Sequence, residues 1–275
     1  MRLICIEQRE NTDCVDELES EREEVSPLGA NSYIIDAEHP TETARLIYQH
    51  RLFTRSTGGL LPGHADLAGF SHILDIGCGP GGWVLDVAYE YPHIQVTGID
   101  VNQTLVRYAL AQARVQNLDN ASFSMMDVLQ PLRFADSSFD LVHARFLASF
   151  LYRASWPQLL AECLRITAPG GRICLTECEV VYSNSAALLQ LCNLFYAALQ
   201  RTGRSFSPDG RSIGIALQLC RLLRKAGFQH TQVKPYLIDF SADTEMHRSW
   251  CENVIVAFQL LEPFLTADQQ ALSHE

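Results

Sequence analysis

His72-Ile73-Leu74-Asp75-Ile76-Gly77-Cys78-Gly79-Pro80-Gly81-Gly82 is the stretch that decides the fold. A short apolar run ends in a glycine cluster, and a helical pattern over Trp83–Tyr91 follows. A buried strand turning sharply into a helix gives this pattern. Downstream the alternation continues. Strands are expected at Gln95–Asp100, Ala121–Met126 and Phe139–Ala144. Asn102 or Thr104 opens a helix running to about Asn117, and Ser155 caps another that reaches Thr167, with Pro157 in its first turn. Pro169-Gly170-Gly171 turns the chain into a fifth strand, Arg172–Glu177. Apolar strands alternating with helices predict an α/β fold: a Rossmann-like, mostly parallel sheet with helices on both faces.

Helical stretches at Asn184–Arg201 and Ser212–Ala226 come next, joined by the Gly-, Ser- and Pro-rich Thr202–Gly210. A sixth strand is read at Gln232–Phe240, and Asp243 or Thr244 opens a last helix. No strand-like run follows Leu261. Upstream, order is expected from Asn31-Ser32-Tyr33-Ile34-Ile35, and Thr41 caps a helix that includes Ile47, Leu52 and Phe53. The division expected is a flexible acidic arm over 1–30 and one domain over 31–275. Within that domain, 31–71 is a helical cap, 72–180 the cofactor-binding core, 181–230 a helical substrate cap, and 231–275 the sixth strand and last helix.

The 275 residues carry a net charge of −11, of which the first 30 residues supply −6. The body is only mildly acidic and has no basic stripe, so no nucleic-acid partner is expected. No apolar run reaches the roughly 18–20 residues of a membrane span. Met1–Ile6 is a short apolar scrap with no signal-peptide pattern. Nine cysteines without metal-ligand spacing read as reduced core thiols of a cytoplasmic protein.

Open parallel sheets bind ligands at the carboxyl ends of their strands. Gly77, Gly79 and Gly82 satisfy Gly-x-Gly-x-x-Gly, and Asp100 falls 18 residues beyond Gly82. By spacing alone this is also a dinucleotide fingerprint, which would make the chain an NAD-dependent oxidoreductase. Charge separates the readings. A pyrophosphate wants amide donors and a positive helix end, whereas S-adenosylmethionine carries a sulfonium and an ammonium. Asp75, at the rim of the first strand, suits the cationic ligand. Asp127 is placed to accept from an adenine amino group, and Asp100 can take ribose hydroxyls in either reading.

The ordered set Asp75–Gly81, Gly98-Ile99-Asp100, Met126-Asp127-Val128, Phe139–Arg145 and Leu164–Gly171 with Arg172-Ile173 resembles class I S-adenosylmethionine-dependent methyltransferases. His143-Ala144-Arg145 and the Tyr33–Phe53 region resemble the branch of fungal secondary-metabolism regulators and small-molecule methyltransferases. The resemblance implies that Asp75, Gly77, Cys78 and Gly79 line the methionine end of the cofactor. Asp100 would hold the ribose, Val101 would lie under the adenine, and Asp127 and Val128 would flank it. His143 and Arg145 would face the methyl group or the cofactor carboxylate, and Tyr33 and the helix near Gln49 would close the pocket. It also implies a seventh strand inserted beside the fifth. None is read, so the sheet is expected to lack it, leaving a truncated end or a strand borrowed from a partner in a homodimer.

The expected activity is methyl transfer to a small, apolar acceptor, through oxygen or nitrogen, with His143 as base if the acceptor is a hydroxyl. Phe146, Phe150, Tyr152, Phe195, Tyr196 and Phe206 line an apolar pocket or form core. A non-catalytic, methyltransferase-like interaction protein is the other alternative kept.

Overall fold

The computed structural model describes residues 2–7, 40–61, 67 and 69–261. The remainder of the acidic arm, Asn31–Ile35 with Tyr33, and the chain after Leu261 lie outside the described residues.

The elements in chain order are β1 (Arg2–Glu7), α1 (Pro40–Thr57), β2 (His72–Ile76), α2 (Gly82–Glu90), β3 (Gln95–Asp100), α3 (Gln103–Val115), β4 (Ala121–Met125) and β5 (Phe139–Arg145). They continue with α4 (Trp156–Ile166), β6 (Thr167–Glu177), α5 (Ala186–Arg201), α6 (Ile215–Lys225), β7 (Thr231–Pro235) and α7 (His247–Leu261). The strands form one seven-stranded sheet in the order β4-β3-β2-β5-β6-β1-β7. The five from β4 to β6 are mutually parallel.

Alternation along the central strands explains why both faces are covered. Ile73, Leu141 and Cys174 point to one face, where they meet Val84, Val87 and Ala88 of α2 and Ala109 of α3. Leu74, Val142, Ile173 and Leu175 point to the other, against Leu159, Leu160 and Cys163 of α4 and Leu219 of α6. A strand buried on both faces needs a nearly continuous apolar run, which is what these segments have. Helix α6 shows the matching helical period: Ile215, Leu219 and Leu223 are buried, four residues apart. Each fully buried Leu or Ile contributes about 1.5–3 kcal/mol.

The expectation of a missing strand is corrected here. The place between β6 and β7 is filled by β1, which runs antiparallel to both. Arg2 pairs with Glu177 and Pro235, and Ile6 with Ile173 and Thr231. Arg2–Ile6 of the stretch read as a scrap, together with Glu7, form an interior strand of the sheet. The position that a borrowed strand would have filled is therefore occupied by this chain. β7 is also shorter than read: it ends at Pro235, and the segment after it runs along the cavity described below. β6 is longer: it starts at Thr167, which pairs with Phe139 of β5, and a register irregularity between Phe139 and Leu141 separates that pair from the run beginning Leu141–Arg172.

Candidate active site

The glycine loop leaves β2 at the carboxyl edge of the sheet, between β3 and β5. Its backbone is tied to β3: Cys78 N donates to Ile99 O at 3.0 Å, and Gly79 N donates to Asp100 Oδ2 at 2.9 Å. Gly77 has φ 67°, and a Cβ there would lie 3.1 Å from Leu147 Cδ2. Only glycine takes that conformation without strain and lets the chain pass under Leu147. Asp100 Oδ1 accepts from Asn102 N at 2.8 Å, and the Asn102 side chain caps α3 through Thr104 N and Leu105 N. Each Asp100 oxygen thus keeps a second lone pair for a ligand. Burial pushes the Asp100 carboxyl above its ordinary value, while the amides of Asn102 and Gly79 oppose the shift.

Around this loop opens a cavity of about 1880 Å³. Asp75, Gly77, Cys78, Gly79, Asp100, Val101, Asp127, Val128 and Arg145 are all on its wall. Asp75 is 4% exposed. Asp127 Oδ1 accepts from Leu129 N at 2.9 Å, which fixes the turn after β4. Val101 is exposed into the opening. Cys78 reaches the site through its backbone rather than its thiol. Its sulfur packs toward Gly98, where a Cβ would sit 2.9 Å away, and burial raises the thiol well above its usual range.

His143 is placed differently from the expectation. It is 1% exposed and is not on the cavity wall. Its Nδ1 donates to Asp75 Oδ1 at 2.8 Å, and Trp83 stacks on the ring at 3.8 Å and 10°. Burial lowers its proton affinity, with the Asp75 hydrogen bond opposing. An imidazole enclosed in this way is placed to orient Asp75.

Two groups on the wall were missed in the sequence. His50 of α1 lies between Arg145 and Asp86: Arg145 Nη2 is 2.9 Å from His50 Nδ1, and His50 Nε2 is 2.7 Å from Asp86 Oδ2. A guanidinium only donates, so Nδ1 accepts and Nε2–H donates to Asp86. Arg145 also reaches Thr54 Oγ1 at 3.4 Å. Burial lowers the Arg145 guanidinium, with Asp75 the largest opposing influence. This cation meets the cavity without a carboxylate within ion-pair distance among the described residues, whereas Arg45, also on the wall, is closed off by a bidentate contact to buried Glu42 at 2.6 and 2.7 Å. The second missed group is Glu179, just past β6. Neither sits in a motif; a histidine beside Gln49 on the cap helix was the one available signal for His50.

The rest of the wall is largely apolar. It comes from Phe53 of α1, from Phe150, from Leu188, Leu191 and Phe195 of α5, and from the 237–242 segment with α7, where Phe240 and Trp250 stack at 4.2 Å and 3°. The cavity therefore has a polar end of aspartates and glycine backbone and an apolar end.

The family model described as Methyltransferase domain matches residues 73–171, the span from β2 into β6. That span, less than half of the chain, is similar to a methyltransferase domain. The match favours the S-adenosylmethionine reading of the same glycines over the nicotinamide one, and S-adenosylmethionine is the cofactor of such a domain. Among curated relatives, Methyltransferase str2 of Strobilurus tenacellus is 30% identical over 147 residues, covering 54% of this chain and 49% of that protein. The secondary metabolism regulator laeA of Aspergillus niger is 29% identical over 207 residues, covering 72% and 50%. The chain thus spans about half the length of these relatives. Among solved structures, Haemonchus contortus phosphoethanolamine N-methyltransferase 2, in complex with phosphomonomethylethanolamine and S-adenosylhomocysteine, superposes with a TM-score of 0.51 at 20% identity, covering 74% of this chain and 46% of that one. The [4+2]-cyclase SpnF gives 0.50 at 23%, covering 84% and 88%. These likenesses establish the fold.

The residues present fit the cofactor. A nucleoside cation needs a ribose acceptor, a close backbone approach and a partner for its carboxylate. Asp100, the Gly77–Gly79 backbone and Arg145 lie on one wall and have the chemistry these parts would need.

Proposed function

We propose that the chain transfers a methyl group from S-adenosylmethionine to the oxygen or nitrogen of a small, apolar acceptor. The observation that carries this reading is the two-ended cavity: one end matched to the cofactor, the other lined by apolar side chains and roomy enough for a second molecule. When bound, S-adenosylmethionine supplies an electrophilic methyl carbon. The protein's part is to position the reactants and keep water out. Asp100 takes the ribose hydroxyls, Val101 and Val128 enclose the adenine, and Asp127 accepts from its amino group. Asp75, fixed by His143 through Oδ1, keeps Oδ2 for the cofactor ammonium, and Arg145, held by His50 and Thr54, takes its carboxylate. Tyr33 remains a candidate for closing the pocket.

No helix among the described residues is long and apolar enough to cross a membrane. The thiols of Cys78, Cys163, Cys178, Cys192, Cys220 and Cys251 are free, which fits a reducing cytoplasmic setting. The test is release of S-adenosylhomocysteine over a panel of apolar phenols and amines beside peptides and RNA. Turnover with small molecules is expected. Turnover confined to peptides or RNA overturns the acceptor class, and binding of NAD in preference to S-adenosylhomocysteine overturns the cofactor.

A further inference from the structure

The acceptor end of the cavity is unusual in its charges. Among the described residues its wall over 178–196, 213 and 237–258 holds two carboxylates, Glu179 and Asp239, and no Lys or Arg. Asp239 is spent locally, accepting from Ser241 N and Ser241 Oγ at 2.9 and 2.5 Å. His247 is likewise engaged, its Nδ1 2.8 Å from Phe240 O and its Nε2 3.7 Å from Cys251 Sγ.

Glu179 differs. Its carboxylate is fixed from outside the cavity by the first turn of α6, accepting from Gly214 N and, at 2.9 Å, from Ala216 N. Gly214 is left-handed at φ 77°, and a Cβ there would lie 2.5 Å from Ser207 N. The close approach that aims its N–H at Glu179 therefore depends on glycine. A carboxylate has about four lone-pair sites, and these two amides leave others open. The same wall also carries Val180, Val181, Leu191 and Phe195. The segment also leaves the sheet beside the glycine loop: Glu177 accepts from Leu147 N at 2.8 Å, and Leu147 is the side chain that overlies Gly77.

We propose that Glu179 selects the acceptor: an apolar molecule carrying a hydrogen-bond donor, hydroxyl or ammonium, binds against it, and carboxylate- or phosphate-bearing molecules are turned away. A fixed anion in a part of the wall that carries no Lys or Arg among the described residues accepts a donor and repels a like charge. A few placed polar groups in an apolar pocket set orientation in this manner. This inference rests on the methyl-transfer reading of the same cavity.

Three probes sharing one apolar body test it: 2-naphthalenemethanol, 2-naphthylmethylamine and 2-naphthoate. They are titrated calorimetrically into the full chain with and without S-adenosylhomocysteine. The alcohol and the amine are expected to bind about ten-fold or more tighter than the naphthoate. Glu179→Gln should bring the amine and the naphthoate to within about three-fold of each other, and Glu179→Asp should keep the wild-type order. Naphthoate binding as tightly as the alcohol in the wild type, no probe binding, or an unchanged order in Glu179→Gln overturns the proposal. If Glu179→Gln does not fold, the wild-type order decides alone. Failure of S-adenosylhomocysteine to bind overturns the methyltransferase reading separately, because the probe order is also read in its absence.

Discussion

Asp75 and His143 are register partners on the adjacent parallel strands β2 and β5, and their side chains meet at 2.8 Å, with Nδ1–H donating to Oδ1. Trp83 lies flat on the imidazole. One cavity-wall carboxylate is thus held by a ring that the cavity does not reach.

His143→Ala is therefore expected to act on stability first. It removes a stacked ring from a site 1% exposed and leaves a buried carboxylate without its donor. A loss of roughly 2–4 kcal/mol follows, with S-adenosylhomocysteine affinity weakened through Asp75. Thermal unfolding and calorimetric titration read both. A full thermal midpoint with turnover lost only on hydroxyl acceptors would instead mark His143 as a base.

Glu177 and His143 give opposite pH slopes. Burial lowers His143, so below about 6.5 the unfolded chain takes up a proton that the native state refuses, and stability falls as pH drops through that window. Burial pushes Glu177 up to about 8, so the native state keeps a proton that the unfolded chain has lost, and stability falls as pH rises from about 4.5 to about 8. Between pH 6.5 and 8 only the Glu177 slope remains of the two. Glu177→Gln keeps an oxygen for Leu147 N and should flatten that slope, gaining up to about 2 kcal/mol over wild type at pH 8. Denaturant midpoints at pH 6.5 and 8 check it; parallel curves for the two proteins count against a protonated Glu177.

Asp100→Asn tests the cofactor end. The amide can accept from Gly79 N or Asn102 N but not from both, and it would lose the charge-assisted bonds proposed to the ribose. Such bonds contribute about 1.5–3 kcal/mol, so S-adenosylhomocysteine affinity should fall by about 10- to 100-fold, with stability lowered by about 1–3 kcal/mol for the amide left without an acceptor. Unchanged affinity would remove Asp100 from the ribose.

The parts of this chain that were legible in sequence are those whose signal is local. The β2 apolar run, the glycine loop and the Asn102 cap each need only a few neighbouring residues, and the structure has them at Ile73–Ile76, Gly77–Gly82 and Asn102. The placement of His143 was not legible. Its enclosure depends on Trp83, and a buried histidine and a cavity histidine look alike in sequence. Glu179 acquires its position from Gly214 and Ala216, 35 and 37 residues away. β1 is the extreme case, since a six-residue strand is defined by its pairing, and its partners lie in β6 and β7.

That pairing makes the last prediction. Ile4 is paired with Leu175 of β6 on one side and Val233 of β7 on the other. Proline at this position deletes a backbone donor in an interior strand and forces its ring into the ladder, which sheets tolerate only at edges and bulges. Ile4→Pro should lower stability by about 2–3 kcal/mol, from the lost hydrogen bond and the strain on its neighbours. Amide exchange should speed up over Ile173–Glu177 and Thr231–Lys234, the facing residues, and stay slow over Ile73–Ile76 and Val96–Ile99 on the far side of the sheet. S-adenosylhomocysteine binding by the folded fraction should persist, because the residues assigned to the cofactor lie at the ends of β2, β3, β4 and β5. If Ile4→Pro leaves both the midpoint and the exchange of β6 unchanged, β1 does not occupy the place between β6 and β7, and the sheet is left with the gap that the sequence alone suggested.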